Sequence, residues 1–328
     1  MISMVNKSRS GLMNALLSTA RFYIQYVHKP EVDMGFALAL ISYILRAIAS
    51  GYLIPIALAR LTNSMVKENS SFFLTNSVIY FIITMIIVSL LYASSEWLFR
   101  PFWNSIAKAI VNIKELIINR VSNDGIDRLN NGDINDIIGR IVNDVDFVMW
   151  NIGNMYNTFM PNILTALTSI ITIMQLDLLI GGIALVLVPL SALIIEPYVR
   201  GVENARRIER SAYSESIHRV EEFLKGDVNN VDLVRGSLRK WINGISNQIK
   251  WDRVYWSSAL AYAYATPLLL SGLGIYRVRT NEMSLGSLIG IIYASLNAYP
   301  SLINALWGIC LLAQNVVPIR RIEELIED

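Results

Sequence analysis

Charge is scarce in this 328-residue chain: Asp, Glu, Lys and Arg make up 16% of it, against roughly 25% in a soluble globular domain, and 54% is hydrophobic. That balance excludes an ordinary soluble enzyme. A single cysteine, Cys310, excludes an intrachain disulfide framework and any CxxC redox or metal motif. The only histidines, His28 and His218, lie far apart, which argues against a histidine-based metal site within one chain. No GxxxxGK[ST] sequence occurs, so the chain has no Walker loop for nucleotide phosphates. With a net charge of only +2, nothing in the total points to nucleic acid. The N-terminus has basic residues but no apolar run closed by a small-residue cleavage site, and is expected to be retained.

What the chain does have is long apolar runs, and a transmembrane helix needs about 20 such residues to cross about 30 Å of hydrocarbon. Six stretches qualify, at roughly 34–61, 71–99, 147–176, 178–199, 254–277 and 284–315. The connections alternate in length. Those after the first, third and fifth runs are short, whereas those after the second and fourth approach 50 residues. Lysine and arginine follow the same alternation, with five between 101 and 146 and eleven between 198 and 253. The positive-inside rule then places both long arms, and both termini, in the cytoplasm.

The arms read as helices, not linkers. No proline falls between Val199 and Arg253, and charges of both signs recur there at helical spacing, including Glu203 and Arg207 at i,i+4. Each arm is expected to descend as a helix, turn at "NDGIDRLNNGD" or "KGDVNN", and climb back, because Gly, Asn and Asp accept turn dihedrals. The returning limb of the first arm, "GDINDIIGRIVNDVD", carries a stripe of Ile134, Ile137, Ile138, Ile141 and Val145. It is expected to pack that stripe on neighbouring arms while its acids face water. Before the first run, Leu12, Leu16, Leu17, Phe22 and Ile24 alternate with Lys7, Arg9, Arg21 and Lys29, as in an amphipathic helix lying in the headgroup layer.

Taken in order, these features resemble the transmembrane domain of an ABC exporter. "IIGRIVNDVD" is similar to that family's third long helix at Arg140, Asn143 and Asp144, and "EEFLKG" to the stretch before its second coupling helix at Glu222 and Gly226. "MSLGSLIGIIYASLNAYPSL" resembles the opening of span six, and "RRIEELIED" the segment leading toward an ATPase domain. Departures are local: Asn135 stands where the family usually has glycine, and Asp227 and Asn230 where it prefers apolar residues. An LSGGQ-like run is absent as well.

The resemblance implies an all-α membrane protein with six spans and long cytoplasmic helical extensions, assembled as a domain-swapped dimer, homo- or heterodimeric. It divides the chain into an elbow helix at 1–30, a six-helix domain at 31–318 with arms at about 100–146 and 199–253, and a linker at 319–328. The chain itself would hold no catalytic site and no cofactor; ATP and Mg2+ would sit on a separate ATPase subunit. Coupling to that ATPase would fall on Arg120, Asn123, Asp124, Gly125 and Asp127 in arm one. In arm two it would fall on Glu222, Gly226, Asp227, Asn229 and Asn230. A translocation cavity would draw on Tyr43, Arg46, Tyr52, Tyr80, Tyr156 and Asn157 from the first three spans. Tyr262, Tyr264, Asn297, Tyr299, Asn304 and Gln314 would serve from the last two.

Arg46 is expected to face protein or water because an arginine in hydrocarbon costs about 2.5 to 3.5 kcal/mol on insertion scales. Glu96 and Glu196 read as interfacial charges. Pro55, Pro161, Pro189 and Pro267 fall within spans and permit kinks. Two further readings stay open. One is a proton-driven peptide transporter of the same membrane fold, which would use Glu96, Glu196 or Asp177; the other is a non-transporting membrane scaffold.

Overall fold

The computed structural model describes residues 16–67, 71–124, 139–226, 231–312 and 315–327. Helix α1, over 16–22, runs into a π turn at Tyr23–Val27 and stops at His28. Its inner face, Phe22, Tyr26 and Val27, is buried, while Leu17 and Ile24 are exposed. Tyr23 donates to Asp33 at 2.8 Å, and burial together with that carboxylate pushes its phenol well above the ordinary tyrosine range.

Helix α2 (Pro30–Ile48) opens with Pro30 in its first turn, where the missing N–H costs nothing. It passes through a π segment, Ala49–Leu53, into α3 (Ile54–Lys67). Pro55 explains the widening. It cannot donate to the carbonyl of Gly51 one turn back. That carbonyl instead accepts from the buried hydroxyl of Thr172 at 2.8 Å, and Thr168 likewise reaches the carbonyl of Ala47 at 3.0 Å. The carbonyl freed by Pro55 in span one is thereby met by a hydroxyl of span three, as a water-free interior requires.

Helix α4 (Ser71–Asp124) is continuous for 54 residues, about 80 Å at 1.5 Å per residue, and passes Pro101 without a break. Residues beyond a single bilayer crossing must therefore project from it. After a π segment at Arg140–Asp144, α5 (Val145–Leu176) forms the third span. The fourth expected span departs from a single rod. It consists of α6 (Leu178–Leu187), a 3-10 turn at Val188–Ser191 set by Pro189, and α7 (Ala192–Lys225). Among the described residues five helices are long and apolar enough to cross a membrane, with 178–191 as a shorter apolar helix. Pro161, Pro267 and also Pro300 lie inside continuous helices.

Helix α8 (Val231–Arg279) spans 49 residues, α9 (Leu285–Leu312) forms the last span, and α10 (Val316–Glu327) follows a polar turn at Asn315. The chain divides into two compact units, Met1–Val186 with Tyr264–Asp328, and Leu187–Ala263. In the first unit α1, α2, α4, α5 and α10 share one core. At its centre Phe102 stacks on Tyr156 while Phe36 meets both edge-on, with ring centroids 4.9 to 5.6 Å apart. The second unit is a helical hairpin, α7 packed on the beginning of α8. Gly201 lies against Trp251, and Trp241 donates to Glu209 at 2.7 Å.

Candidate coupling arms and membrane pathway

Arm one leaves the apolar region as the continuation of α4, with Arg120 exposed near its tip. Asn123 and Asp124 close the helix, their side chains outside the described set, and Gly125 and Asp127 lie outside the described residues altogether. So do Ile134, Ile137 and Ile138 of the returning limb. The described part of that limb corrects one expectation. Its acids do not simply face water: Asp146 meets Lys114 of α4 at 2.7 Å, and Asp144, only 14% exposed, meets Arg321 of α10 at 3.0 Å. A carboxylate so far removed from solvent has to find a cation, and the neighbouring helices supply one.

Arm two reverses at Gly226. This glycine ends α7 with φ +81°, and its N–H returns to the carbonyls of Glu222 and Phe223. Only glycine adopts that left-handed backbone without cost, so the turn is coded by residue type. Glu222 pairs within its own helix, with Arg219 at 2.8 Å and His218 at 3.2 Å. Lys240 donates to Glu215 at 2.8 Å across the hairpin, and this bond holds the Glu215 carboxyl below the usual glutamate range. Asp227, Asn229 and Asn230 lie outside the described residues.

Several cavity candidates turn out to be packing residues. Tyr43 is buried and donates to Asn157 at 2.9 Å; Tyr156 donates to the carbonyl of Phe36 at 2.9 Å. Tyr299 is fully buried and donates to the carbonyl of Ala184 at 3.0 Å. Their hydroxyls satisfy partners inside this chain, which a phenol buried in apolar surroundings needs. Tyr262 donates to the carbonyl of Leu187 at 2.7 Å, and Asn297 donates to the carbonyl of Ser50 at 3.2 Å beside the π segment. Tyr52 and Asn304 are half-buried, Tyr264 is exposed, and Tyr80 lies under Arg60, 4.9 Å from its ring centre. Gln314 is outside the described residues.

Arg46 acquires the partner its sequence position did not reveal. It binds Glu96 at 2.8 Å and Ser95 at 2.9 Å and lies 5.7 Å from the centre of the Phe99 ring. Glu96 is therefore a counter-ion, not a solitary interfacial charge. Asp177 caps α6 through the N–H of Ile180 at 2.9 Å and bonds Arg277 at 3.0 Å, with its side chain 7% exposed. The side chain of Glu196 is outside the described set. Neither Ser95 nor Thr172 was singled out in the sequence; a hydroxyl aimed at an arginine or a freed carbonyl becomes visible only when the spans are paired. Among the described residues no cluster of three or more His, Cys, Asp or Glu could hold a metal ion.

A comparison with known families bears on these long apolar helices. The family model described as "ABC transporter transmembrane region" matches residues 36–227, more than half of the chain. The chain belongs to that family and is a multi-pass membrane protein. No curated protein matches it.

Proposed function

We propose that the chain is the transmembrane subunit of an ATP-driven exporter, forming the translocation pathway with a second such subunit. ATP and Mg2+ would be held by ATPase subunits supplied outside these 328 residues. Both termini and both arms would face the cytoplasm of a cell membrane, the elbow helix at 1–30 would lie on that surface, and the stretch at 319–328 would lead toward the ATPase. Closure and opening of an ATPase dimer would push on the arm tips, and stiff helices would carry the displacement into the spans.

The observation that carries this reading is the arm geometry itself. Helix α4 runs on without a break for tens of ångströms past a single bilayer thickness, and α7 and α8 form a hairpin closed by the left-handed Gly226. A second copy is supported by the hairpin's own surface, where Ile208, Leu224, Ile242 and Ile249 are exposed. Two of the three carboxylates that the proton-driven alternative would use, Glu96 and Asp177, have arginine partners.

Gly226→Val tests the coupling role of arm two. A Cβ at this position would meet nothing within 4 Å, so the substitution acts through the backbone and not through a clash. Forcing a β-branched residue into the left-handed region costs roughly 1–2 kcal/mol. Transport driven by ATP is expected to fall about tenfold, equivalent to about 1.4 kcal/mol, while Gly226→Asn, which tolerates that region, keeps most of it. Transport by Gly226→Val at the unaltered rate would remove arm two from the coupling path.

A further inference from the structure

The C-terminal helix α10 lies along the returning limb of arm one, and its placement is more specific than apolar packing requires. Ile319, Ile322 and Leu325 are buried in the core that also holds Ile113, Ile117 and Met149. Apolar contact of this kind is non-directional and would allow α10 to slide or roll. Three polar contacts remove that freedom. Asn151 donates to Asn315 at 3.0 Å, Arg321 pairs with Asp144 at 3.0 Å, and Arg140 pairs with Glu324 at 3.3 Å. As the α10 position advances from 315 to 321 to 324, its partner retreats from 151 to 144 to 140, so the two segments run antiparallel in one fixed register. Arg140 also donates to the backbone carbonyl of Arg321 at 3.2 Å, tying the limb to the helix axis itself.

The π segment Arg140–Asp144 occupies the part of the limb where the two ion pairs sit. Asp144 and Arg140 have side chains 14% and 21% exposed, so neither charge can give up its partner to water without a large penalty. Two elements held in such a charge-registered contact resist sliding past one another.

We infer that Asp144–Arg321 and Arg140–Glu324 form an ionic latch that locks α10 to the stem of arm one, so that the two transmit ATPase-driven movement together. These are positioning residues. The transmission part rests on the exporter reading above; the latch itself does not.

The test uses the full chain in its complex with the ATPase, reconstituted in lipid, with spin labels at the exposed Val142 and Val317 for pulsed distance measurement. The latch predicts a narrow intrachain component in the distance distribution of the otherwise unaltered protein. Asp144→Arg and Arg321→Asp each broaden it and lower ATP-driven transport roughly tenfold, since each leaves like charges facing where a partly buried pair was. The double exchange Asp144→Arg with Arg321→Asp restores both the narrow distance and transport, which a merely damaged fold would not do. Narrow distances in both single variants, or no recovery in the double exchange, would overturn the latch. Broadened distances with undiminished transport would overturn its role in transmission. If broadening and recovery are seen but the unaltered complex shows no ATP-driven transport, the latch stands and the exporter reading falls.

Discussion

Replacing Gly286 with leucine is expected to leave almost no folded protein. Gly286 begins the last span, and its N–H donates to Asn63 at 2.9 Å, which brings the backbone of α9 directly onto the end of α3. A Cβ there would run into the backbone carbonyl oxygen of Ala59 and would sit 2.5 Å from the Asn63 side chain. A carbonyl cannot swing aside as the end of a lysine could. Span–span association in lipid depends on close packing of small residues more than on the hydrophobic effect. Forcing extra atoms into a packed contact typically costs about 1–3 kcal/mol, and more where, as here, the neighbour is backbone. The measurement is the monodisperse fraction after detergent extraction, by size-exclusion chromatography. A normal elution profile with an unchanged melting temperature would show that spans one and six do not meet as described.

Phe102→Ala is expected to destabilise the chain by about 3–5 kcal/mol, the range for emptying a buried aromatic site. Phe102 is fully buried and lies between Phe36, Phe99 and Tyr156, with centroids 5.1, 5.3 and 5.6 Å away. This nest joins α2, α4 and α5 where arm one leaves the spans, so it fixes the angle of the arm as well as the stability of the unit. Phe102→Leu keeps most of the volume and should recover much of the loss. Thermal unfolding of the purified protein in detergent distinguishes the two, with Phe102→Ala melting well below both the unaltered chain and Phe102→Leu. Equal melting temperatures for all three would mean that the aromatic nest does not form.

The fold was largely legible in the sequence because membrane spans and charged arms differ in composition over whole segments. The alternation of short and long connections, and the glycine that reverses arm two, could be read from residue types alone. Local breaks were harder. Pro189 was visible as a possible kink, yet the 3-10 turn that divides the fourth span depends on how the backbone relaxes around it. The π segment at Ala49–Leu53 required knowing that Thr172 stands opposite the carbonyl freed by Pro55.

Site residues were less legible, for a related reason. A tyrosine or asparagine inside a span can face a pathway or satisfy a neighbour, and residue type does not separate the two. Tyr43 and Tyr299 proved to be internal donors. Ion pairs joining positions 46 with 96, 144 with 321 and 177 with 277 span long stretches of sequence, so no local pattern announces them. Only the charges themselves were conspicuous, as groups that would need partners.

In the exporter proposed above, movement across the membrane through this chain is powered by ATP hydrolysed on a partner. Its most direct test reconstitutes the chain with its co-purifying ATPase in sealed vesicles and follows release of candidate substrates into the lumen. Accumulation is expected to require ATP and Mg2+ on the arm side, to persist when the proton gradient is collapsed, and to stop when the ATPase is omitted. Accumulation driven by a pH gradient in the absence of ATPase and ATP would contradict it.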